Sequence, residues 1–251
     1  MYKDKQYLYE QFIVQRKFVK DIAKECNISA SSIEKYLSKF NLKRGNIKYT
    51  LDETTIDISN PVFCYFAGLM ITDGYFDKKV DRVSIRVRNT GSYDVLNAIK
   101  DNFNFTGNVK VYNEVDNDLT ITSKKVIETL MLLGCSREVK VYNTFPSDIL
   151  YMLSPDCIRM FLRGISDGDG NIKSNGKVFR ITITSENFLT DMSAFLNDYL
   201  GIKTCVKKDR DYYKIEMSVS DSSVFLDFIY EGFNKFRFTD KYCRYARRVK
   251  I

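Results

Sequence analysis

The chain contains no histidine among its 251 residues. This absence excludes every catalytic mechanism that needs an imidazole, including Ser-His-Asp triads, nucleases that bind metal through histidine, and zinc hydrolases of the His-Glu-x-x-His type. Hydrolytic chemistry in this chain would therefore depend on carboxylates, lysines, tyrosines, or metal ions bound through oxygen.

The sequence also lacks a long apolar run and a paired-cysteine motif. No apolar stretch approaches the length of a membrane span, and the first residues lack the apolar core of a signal peptide. The six cysteines are scattered without a Cys-x-x-Cys pair, so the sequence indicates neither a zinc site nor a disulfide framework. We expect a soluble protein with reduced thiols and no membrane contact, located in the cytoplasm, the nucleoid or an organelle matrix.

The net charge of +7 is unevenly distributed along the chain. Residues 1–50 hold eleven basic and five acidic side chains, and residues 241–251 hold five basic and no acidic ones. The middle of the chain is therefore mildly acidic. A basic end can be a solvated tail, but two basic ends favour a polyanionic partner.

Residues 18–44 have the pattern of two short helices joined by a turn, in which Asn27 suits a left-handed backbone. The pattern resembles a helix-turn-helix, with the small Ala23 where the helices would approach closely. The second helix would present these side chains to the major groove of DNA: Ser29, Ser31, Ser32, Lys35 and Lys39. A helical hairpin for packing or dimerisation is the alternative, and the basic charge favours DNA binding. We predict a DNA-binding domain over residues 1–45 and a polar linker over residues 46–59.

The rest of the chain contains an internal repeat. Residues 60–76 (NPVFCYFAGLMITDGYF) and 154–172 (SPDCIRMFLRGISDGDGNI) each begin with a capping residue and proline, continue as a helix and end in Asp-Gly. Asp73 in the first copy matches Asp169 in the second. Strand and helix patterns follow in the same order in both copies, which predicts two copies of helix–strand–strand–helix–strand–strand–helix, a pseudo-dimer in one chain.

The stretches FAGLMITDG (66–74) and LRGISDGDG (162–170) resemble the paired motifs of the LAGLIDADG homing endonucleases. The resemblance covers about three quarters of the chain. It implies an α+β fold in which two αββαββα repeats, over residues 60–146 and 147–251, form a saddle on double-stranded DNA. It also implies that the motif helices pack at a pseudo-two-fold axis, where Gly68 and Gly164 let their backbones approach.

The implied activity is site-specific cleavage of both DNA strands at a long asymmetric target, by metal-dependent hydrolysis that leaves short 3′ overhangs. The family's catalytic acids correspond to Asp73 and Asp169. Two adjacent carboxylates repel each other unless they are protonated or bridged by cations, and oxygen ligands suit Mg²⁺. We expect two or more Mg²⁺ ions, replaceable by Mn²⁺, at these aspartates and at the seventh motif positions, Thr72 and Gly168.

The family also places a basic residue beside each metal site, and by position these residues are Lys140 and Lys241. A plain phosphate clamp or a solvated lysine is the alternative role for each. Asp167 has no acidic counterpart, because position 71 is isoleucine, and we expect it to be solvated or at the helix interface. The motifs also differ at their second position (alanine 67, arginine 163), which predicts that the two halves are not equivalent.

The alternating strand patterns supply a DNA-facing surface. In RVSIRVR (82–88), apolar residues alternate with polar ones, so one face can pack on helices while the other faces phosphates and base edges. Such alternation is ordinary in antiparallel sheets, and the arginines on one face are the informative feature. The predicted contacts, of which Arg86 and Arg88 rank first, are Arg82, Ser84, Arg86, Arg88, Arg180, Thr182, Thr184 and Lys214.

Two other functions stay open from the sequence. A non-catalytic DNA-binding regulator would use the same surfaces, although the presence of both aspartates counts against it. An RNA maturase that assists intron splicing would use the same fold with intron RNA as its partner. We expect the protein to be a monomer.

Overall fold

The chain divides between Tyr49 and Thr50 into a small helical unit and a larger unit of helices and sheets. The computed structural model describes residues 2–15, 17–42, 49–173 and 176–248. Across these ranges, no helix combines the length and the apolar character needed to cross a membrane.

The small unit consists of short helices around an apolar core. Its elements are α1 (Lys5–Leu8), a π-helical turn (Tyr9–Val14), α2 (Val19–Glu25) and α3 (Ala30–Lys39). The core consists of Leu8, Ile22, Ala23, Ile33 and Leu37. Between α2 and α3, Asn27 has a φ of 54°, the left-handed conformation expected from its place in the turn. The expected pair of helices is present, and its role in DNA binding stays a prediction.

The predicted linker over residues 46–59 is only partly separate from the larger unit. Residues 43–48 lie outside the described residues. From Thr50 onward the chain packs against the larger unit: the Thr50 nitrogen donates to Thr106 Oγ1 at 2.7 Å, and the Asp52 nitrogen donates to the Phe103 oxygen at 3.0 Å. Ile56 is fully buried. Residues 50–59 therefore belong to the larger fold, although they lack helical or strand periodicity.

The larger unit contains two halves with the same order of elements. The first half consists of α4 (Pro61–Asp73), β1 (Gly74–Phe76), β2 (Arg82–Arg88), α5 (Ser92–Asn102), β3 (Lys110–Val111), β4 (Asp116–Thr122) and α6 (Lys124–Leu132). A short helix, α7 (Ser147–Leu150), follows. The second half consists of α8 (Pro155–Asp169), β5 (Gly170–Ile172), β6 (Phe179–Ile183), α9 (Glu186–Leu200), β7 (Lys207–Asp209), β8 (Tyr212–Glu216) and α10 (Val219–Tyr230). The last described element is α11 (Thr239–Arg248).

The two sheets are antiparallel and have equivalent strand orders, β1-β2-β4-β3 and β5-β6-β8-β7. Their apolar faces and the helices enclose one continuous core. The predicted α+β fold class with two αββαββα repeats is confirmed.

The helices α4 and α8 begin with the caps that their sequences predict. The Asn60 side chain accepts from the Val62 nitrogen at 3.0 Å, and the Ser154 hydroxyl accepts from the Cys157 nitrogen at 3.3 Å. A proline occupies the first position of each helix, where no amide hydrogen is needed. Every residue of α4 from position 62 to 72 is buried, so this helix is central to the core rather than amphipathic.

The two helices meet backbone to backbone at a pair of glycines. A Cβ atom built on Gly68 would overlap the Phe161 carbonyl oxygen and lie 3.0 Å from the Cα atom of Gly164. A Cβ atom on Gly164 would overlap the Tyr65 carbonyl oxygen and lie 3.0 Å from the Cα atom of Gly68. Any larger side chain at either position must therefore separate the helices.

We expect the substitution Gly68→Ala to lower the free energy of unfolding. Helix propensity alone would favour alanine over glycine by about 1 kcal/mol. Overpacking in a core costs about 1–3 kcal/mol, and here the obstacle is backbone that cannot rotate away, so the cost should exceed the gain. Urea unfolding followed by circular dichroism measures the difference. Asp191→Ala on the exposed face of α9 is the control and should change stability by less than about 0.5 kcal/mol. A net stabilisation by Gly68→Ala would contradict the close approach.

Candidate active site

The two motif aspartates are the last residues of α4 and α8, and β1 and β5 begin directly after them. The ends of the two helices are adjacent. A Cβ atom built on Gly168 would lie 2.9 Å from Asp73 Oδ2, and it would overlap the Thr72 hydroxyl. The missing side chain of Gly168 thus leaves the space that the Asp73 carboxylate uses.

Both carboxylates have raised pKa values. Partial burial raises the pKa of Asp73, because it removes water from the charged carboxylate. The positive charges of Lys140 and Lys241 oppose this shift. For Asp169, reduced hydration and then the charge of Asp73 raise the pKa to about 6. Because Asp169 keeps much of its surface in water, we regard the neighbouring carboxylate as the more specific cause. The two acids therefore repel each other, and a cation placed between them would relieve this repulsion.

Each predicted basic residue contacts the last turn of one motif helix. Lys140 Nζ donates to the Thr72 oxygen, and Lys241 Nζ donates to the Gly168 oxygen at 2.9 Å. Lys241 also donates to the carbonyl oxygens of Ser166 and Asp167. The last carbonyls of a helix lack partners within it and carry partial negative charge, which explains why ammonium groups are held there. Burial lowers the pKa of Lys241, and the nearby aspartates oppose this shift.

The oxygen-rich surroundings suit a hard divalent cation, but the protein alone supplies few ligands. Within the described ranges, no group of three or more His, Cys, Asp or Glu side chains could hold a metal ion. Asp73 and Asp169 fit as ligands because they are adjacent, repel each other and offer the carboxylate oxygens that hard cations prefer. The carbonyl oxygens of Thr72 and Gly168 already accept from lysines. A metal ion would therefore share these carbonyls with the lysines or take its other ligands from water and a substrate.

Asp167 is buried at the helix interface, so the alternative of a solvated acid is wrong. Its side chain accepts from the Tyr65 hydroxyl at 2.8 Å, the Tyr230 hydroxyl at 3.2 Å and the Phe238 nitrogen at 3.3 Å. Tyr65 belongs to α4, which means that this carboxylate joins the two halves. Burial raises the pKa of Asp167 to about 6, against the opposing effects of Lys241, Tyr65 and Arg163.

Arg163, at the second motif position, is fully buried and holds the end of α10. Its guanidinium donates to a series of backbone carbonyl oxygens, those of Ile229, Glu231, Gly232, Phe233 and Phe236. The first motif has the small Ala67 at this position. The sequence showed the difference between the motifs, but it gave no indication of these carbonyl partners.

The predicted DNA contacts lie on sheet faces that point away from the core. On β2, Arg82, Arg86 and Arg88 are exposed and Ser84 is half-buried. In the second half, Arg180 and Thr182 are half-buried on β6, Thr184 is exposed just beyond it, and Lys214 is half-buried on β8.

Sequence reasoning missed the acidic partners of these basic residues. Asp116 Oδ1 and Oδ2 accept from Arg86 Nε and Nη2, each at 2.8 Å. Glu216 accepts from Arg180, and Asp209 accepts from Lys214 at 2.6 Å. These acids lie on β4, β7 and β8 and were visible in the sequence, but their pairing depends on the sheet register. The pairs of Arg180 and Lys214 are accessible to solvent and contribute about 0–1 kcal/mol each, whereas Asp116 is buried and makes a bidentate pair with Arg86.

Residues 156–230 match the family model described as LAGLIDADG-like domain. The chain contains a LAGLIDADG-like domain. The match covers most of the second half, and the first half repeats its topology. The resemblance inferred from the two motifs is therefore confirmed.

Solved structures of LAGLIDADG type share this fold. The homing endonuclease I-DmoI in complex with DNA and Mn has a TM-score of 0.51 and 18% identity, over 70% of this chain and 99% of that one. The homing endonuclease I-WcaI bound to its DNA recognition sequence has a TM-score of 0.55 and 12% identity, over 75% of this chain and 87% of that one. At these identities, the similarity establishes the fold alone.

A curated relative is the DNA-directed RNA polymerase subunit Rpo1C of Methanocaldococcus jannaschii. It is 27% identical over 156 residues, which cover 58% of this chain. The matched segment is 17% of the length of that relative. The chain thus spans a small part of the polymerase subunit that it resembles.

We expect the substitution Asp167→Asn to destabilise the protein by about 1–3 kcal/mol at low pH, since an amide cannot accept all three hydrogen bonds. The folded pKa of Asp167, about 6, lies above the unfolded value. The contribution of the acid to stability is therefore full below the unfolded pKa and is lost as the pH rises through 6. The cost of the substitution should accordingly be larger at pH 4.5 than at pH 7.5.

Urea unfolding of both proteins at the two pH values measures this difference. Asp101→Asn, at an exposed position of α5, is the control and should show no such trend. A cost that increases with pH would contradict the prediction and would mean that Arg163 and Lys241 stabilise the charged form of Asp167.

Proposed function

We propose that the protein is a site-specific endonuclease that cuts both strands of double-stranded DNA at a long asymmetric target. One observation carries this proposal. Each half of the fold contributes one aspartate to the same site, and a lysine from outside the motif helices contacts the last turn of each helix. Asp73 lies against Gly168 of the other motif, and its charge raises the pKa of Asp169. In a chain without histidine, these carboxylates and lysines are the groups that can support phosphodiester hydrolysis.

Asp73 and Asp169 are the residues that would hold the divalent ions, which we propose to be two or more Mg²⁺ with Mn²⁺ as a substitute. Bound ions of this kind supply activation of a water molecule and charge stabilisation at a scissile phosphate. The chain's own contribution is to hold the two carboxylates next to each other, where a bound cation would relieve their repulsion. I-DmoI was solved with DNA and Mn, which supports divalent ions as cofactors of this fold.

Lys140 and Lys241 place positive charge next to the two carboxylates. An ammonium held at a fixed position can stabilise the negative charge that develops on phosphate oxygens during hydrolysis. Because each lysine is anchored by backbone carbonyls, it needs little rearrangement when DNA binds. This positioning favours a catalytic role over that of a solvated lysine. We further propose that hydrolysis leaves short 3′ overhangs.

The small unit is proposed to add DNA contacts. The exposed face of α3 carries Ser31, Lys35 and Lys39, and the Ser29 hydroxyl caps the helix by accepting from the Ser32 nitrogen at 3.3 Å. Helix N-termini and lysines of this kind commonly contact phosphates. We propose that the protein acts as a monomer, because both motifs of the shared site come from one chain.

We expect Asp73→Asn and Asp169→Asn each to lower double-strand cleavage by about 10²–10³-fold, the cost of removing one preorganised charge interaction from a transition state. DNA affinity should stay within severalfold, since the basic sheet faces are unchanged. Linearisation of a target plasmid across Mg²⁺ concentrations measures cleavage, and gel shift in Ca²⁺ measures binding. Removal of the metal with EDTA should abolish cleavage.

The exposed Asp101→Asn is the matched control and should cut like the parent. If both motif variants also cut like the parent, the site is wrong. A parent protein that binds a specific DNA but never cuts it would identify the non-catalytic regulator, and preferential binding of intron RNA would favour the maturase.

We expect the double substitution Lys35→Ala, Lys39→Ala to weaken DNA binding and to flatten its dependence on salt. Each lost phosphate contact lowers the slope of log affinity against log salt by about 0.9. Fluorescence anisotropy with a labelled target duplex at several NaCl concentrations measures the slope. Lys124→Ala, at an exposed position of α6, is the control. An unchanged slope would assign the small unit to packing or dimerisation.

A further inference from the structure

A cavity of about 290 Å³ lies beside one of the two aspartates, Asp73. Arg86 and Arg88 of β2, Asn89 directly after this strand, and Gly168 near the end of α8 also line it. A water molecule in the liquid occupies about 30 Å³, so the cavity has room for a phosphate group and water. The Asn89 side-chain oxygen is buried and lacks a donor within the described ranges, and a water molecule in the cavity could supply one.

The two arginines of the cavity are held in different ways. Arg86 uses Nε and Nη2 on Asp116 and stacks on the Tyr112 ring at 4.2 Å. Arg88 Nε lies 3.3 Å from Asp116 Oδ2, and no hydrogen bond among the described residues engages its two terminal nitrogens. The Arg88 side chain is 71% exposed, whereas that of Asp116 is 11% exposed. Arg88 is thus anchored at one nitrogen and presents the other two, in the planar arrangement that matches a phosphate.

The second half offers different chemistry at the same strand positions. Gly74 pairs with Ile85, and Gly170 pairs with Ile181, so the sheets align with an offset of 96 residues. By this offset, Arg86 and Arg88 correspond to Thr182 and Thr184. Threonine can donate one hydrogen bond to a phosphate but brings no charge. The two halves of the shared site are therefore unequal in their affinity for an anion.

We propose that Arg88, positioned by Asp116, binds the scissile phosphate of one DNA strand in the cavity beside Asp73, and that the two strands are therefore cut at unequal rates. This inference rests on the proposed endonuclease function. The strand whose phosphate contacts Arg88 is cut first. A nicked intermediate then accumulates before the second strand is cut.

The experiment measures the cleavage rate of each strand separately. The substrate is a duplex obtained by cleavage selection from a randomised DNA library, with a different fluorophore on each strand. Reactions contain saturating full-length protein and Mg²⁺. The parent is expected to cut one strand at least severalfold faster than the other. Arg88→Thr, which copies the second half, should slow the faster strand by about tenfold or more and change the slower strand by less than about twofold.

Three further variants separate phosphate binding from a general loss of DNA binding. Arg88→Lys keeps the charge without the planar fork and should show a smaller effect on the same strand. Asp116→Asn removes the anchor and should slow the same strand without affecting the other. Arg82→Thr changes an arginine of the same strand, β2, that does not line the cavity, and it should leave the ratio of the two cleavage rates unchanged.

The outcomes distinguish this inference from the proposed function. If the parent cuts both strands equally, or if Arg88→Thr slows both by the same factor, the asymmetric phosphate site is wrong and the endonuclease stands. If selection yields no cleaved DNA with the parent, the proposed function fails, and the inference fails with it.

Discussion

The close contact of α4 and α8 is the constraint on which the rest of the larger unit depends. At Gly68 and Gly164 the helices touch through backbone atoms, with no room for a side chain on either. The motif aspartates come five residues later on each helix, about 7.5 Å farther along the axis. Because the helices stay adjacent over this distance, their last turns meet and bring Asp73 against Gly168. The geometry of the site is therefore a consequence of the glycine contact.

Two helix C-termini and two carboxylates lie close together and concentrate negative charge, and two lysine side chains partly neutralise it. Lys140 and Lys241 come from outside the motif helices and bind the last carbonyls of each. The halves then differ in their interiors. In the second half, buried Arg163 and Asp167 join α8 to α10, to α4 and to the segment before α11. In the first half, apolar residues occupy both positions, and Asn143 donates to the Ile71 oxygen at 3.1 Å. The same backbone arrangement is thus stabilised by charge in one half and by packing in the other.

The outer faces of the sheets are not simply basic. Several of the basic side chains there are paired with carboxylates, which offsets the repulsion between neighbouring positive charges. Asp116 is the clearest case, because it orients two arginines of β2 at once. The exposed pairs of Arg180 and Lys214 are weak, whereas the buried Asp116 keeps its arginines in place. In the proposed DNA complex, a partly neutralised surface of this kind would give less non-specific attraction than a bare cluster of arginines.

The sequence by itself determined the features that depend on local pattern. Caps, prolines, apolar helices ending in Asp-Gly and alternating strands predicted the repeat, the fold class and the placement of two acids at equivalent helix ends. It did not predict that residues 50–59 pack into the larger unit, since a single buried Ile56 and a few backbone bonds leave no periodicity. Only the tertiary structure showed the burial of Asp167 against Tyr65, the carbonyl partners of Arg163 and the pairing of Arg88 with Asp116. These contacts join residues far apart in the chain, and their existence depends on helix packing and sheet register, which no local pattern encodes.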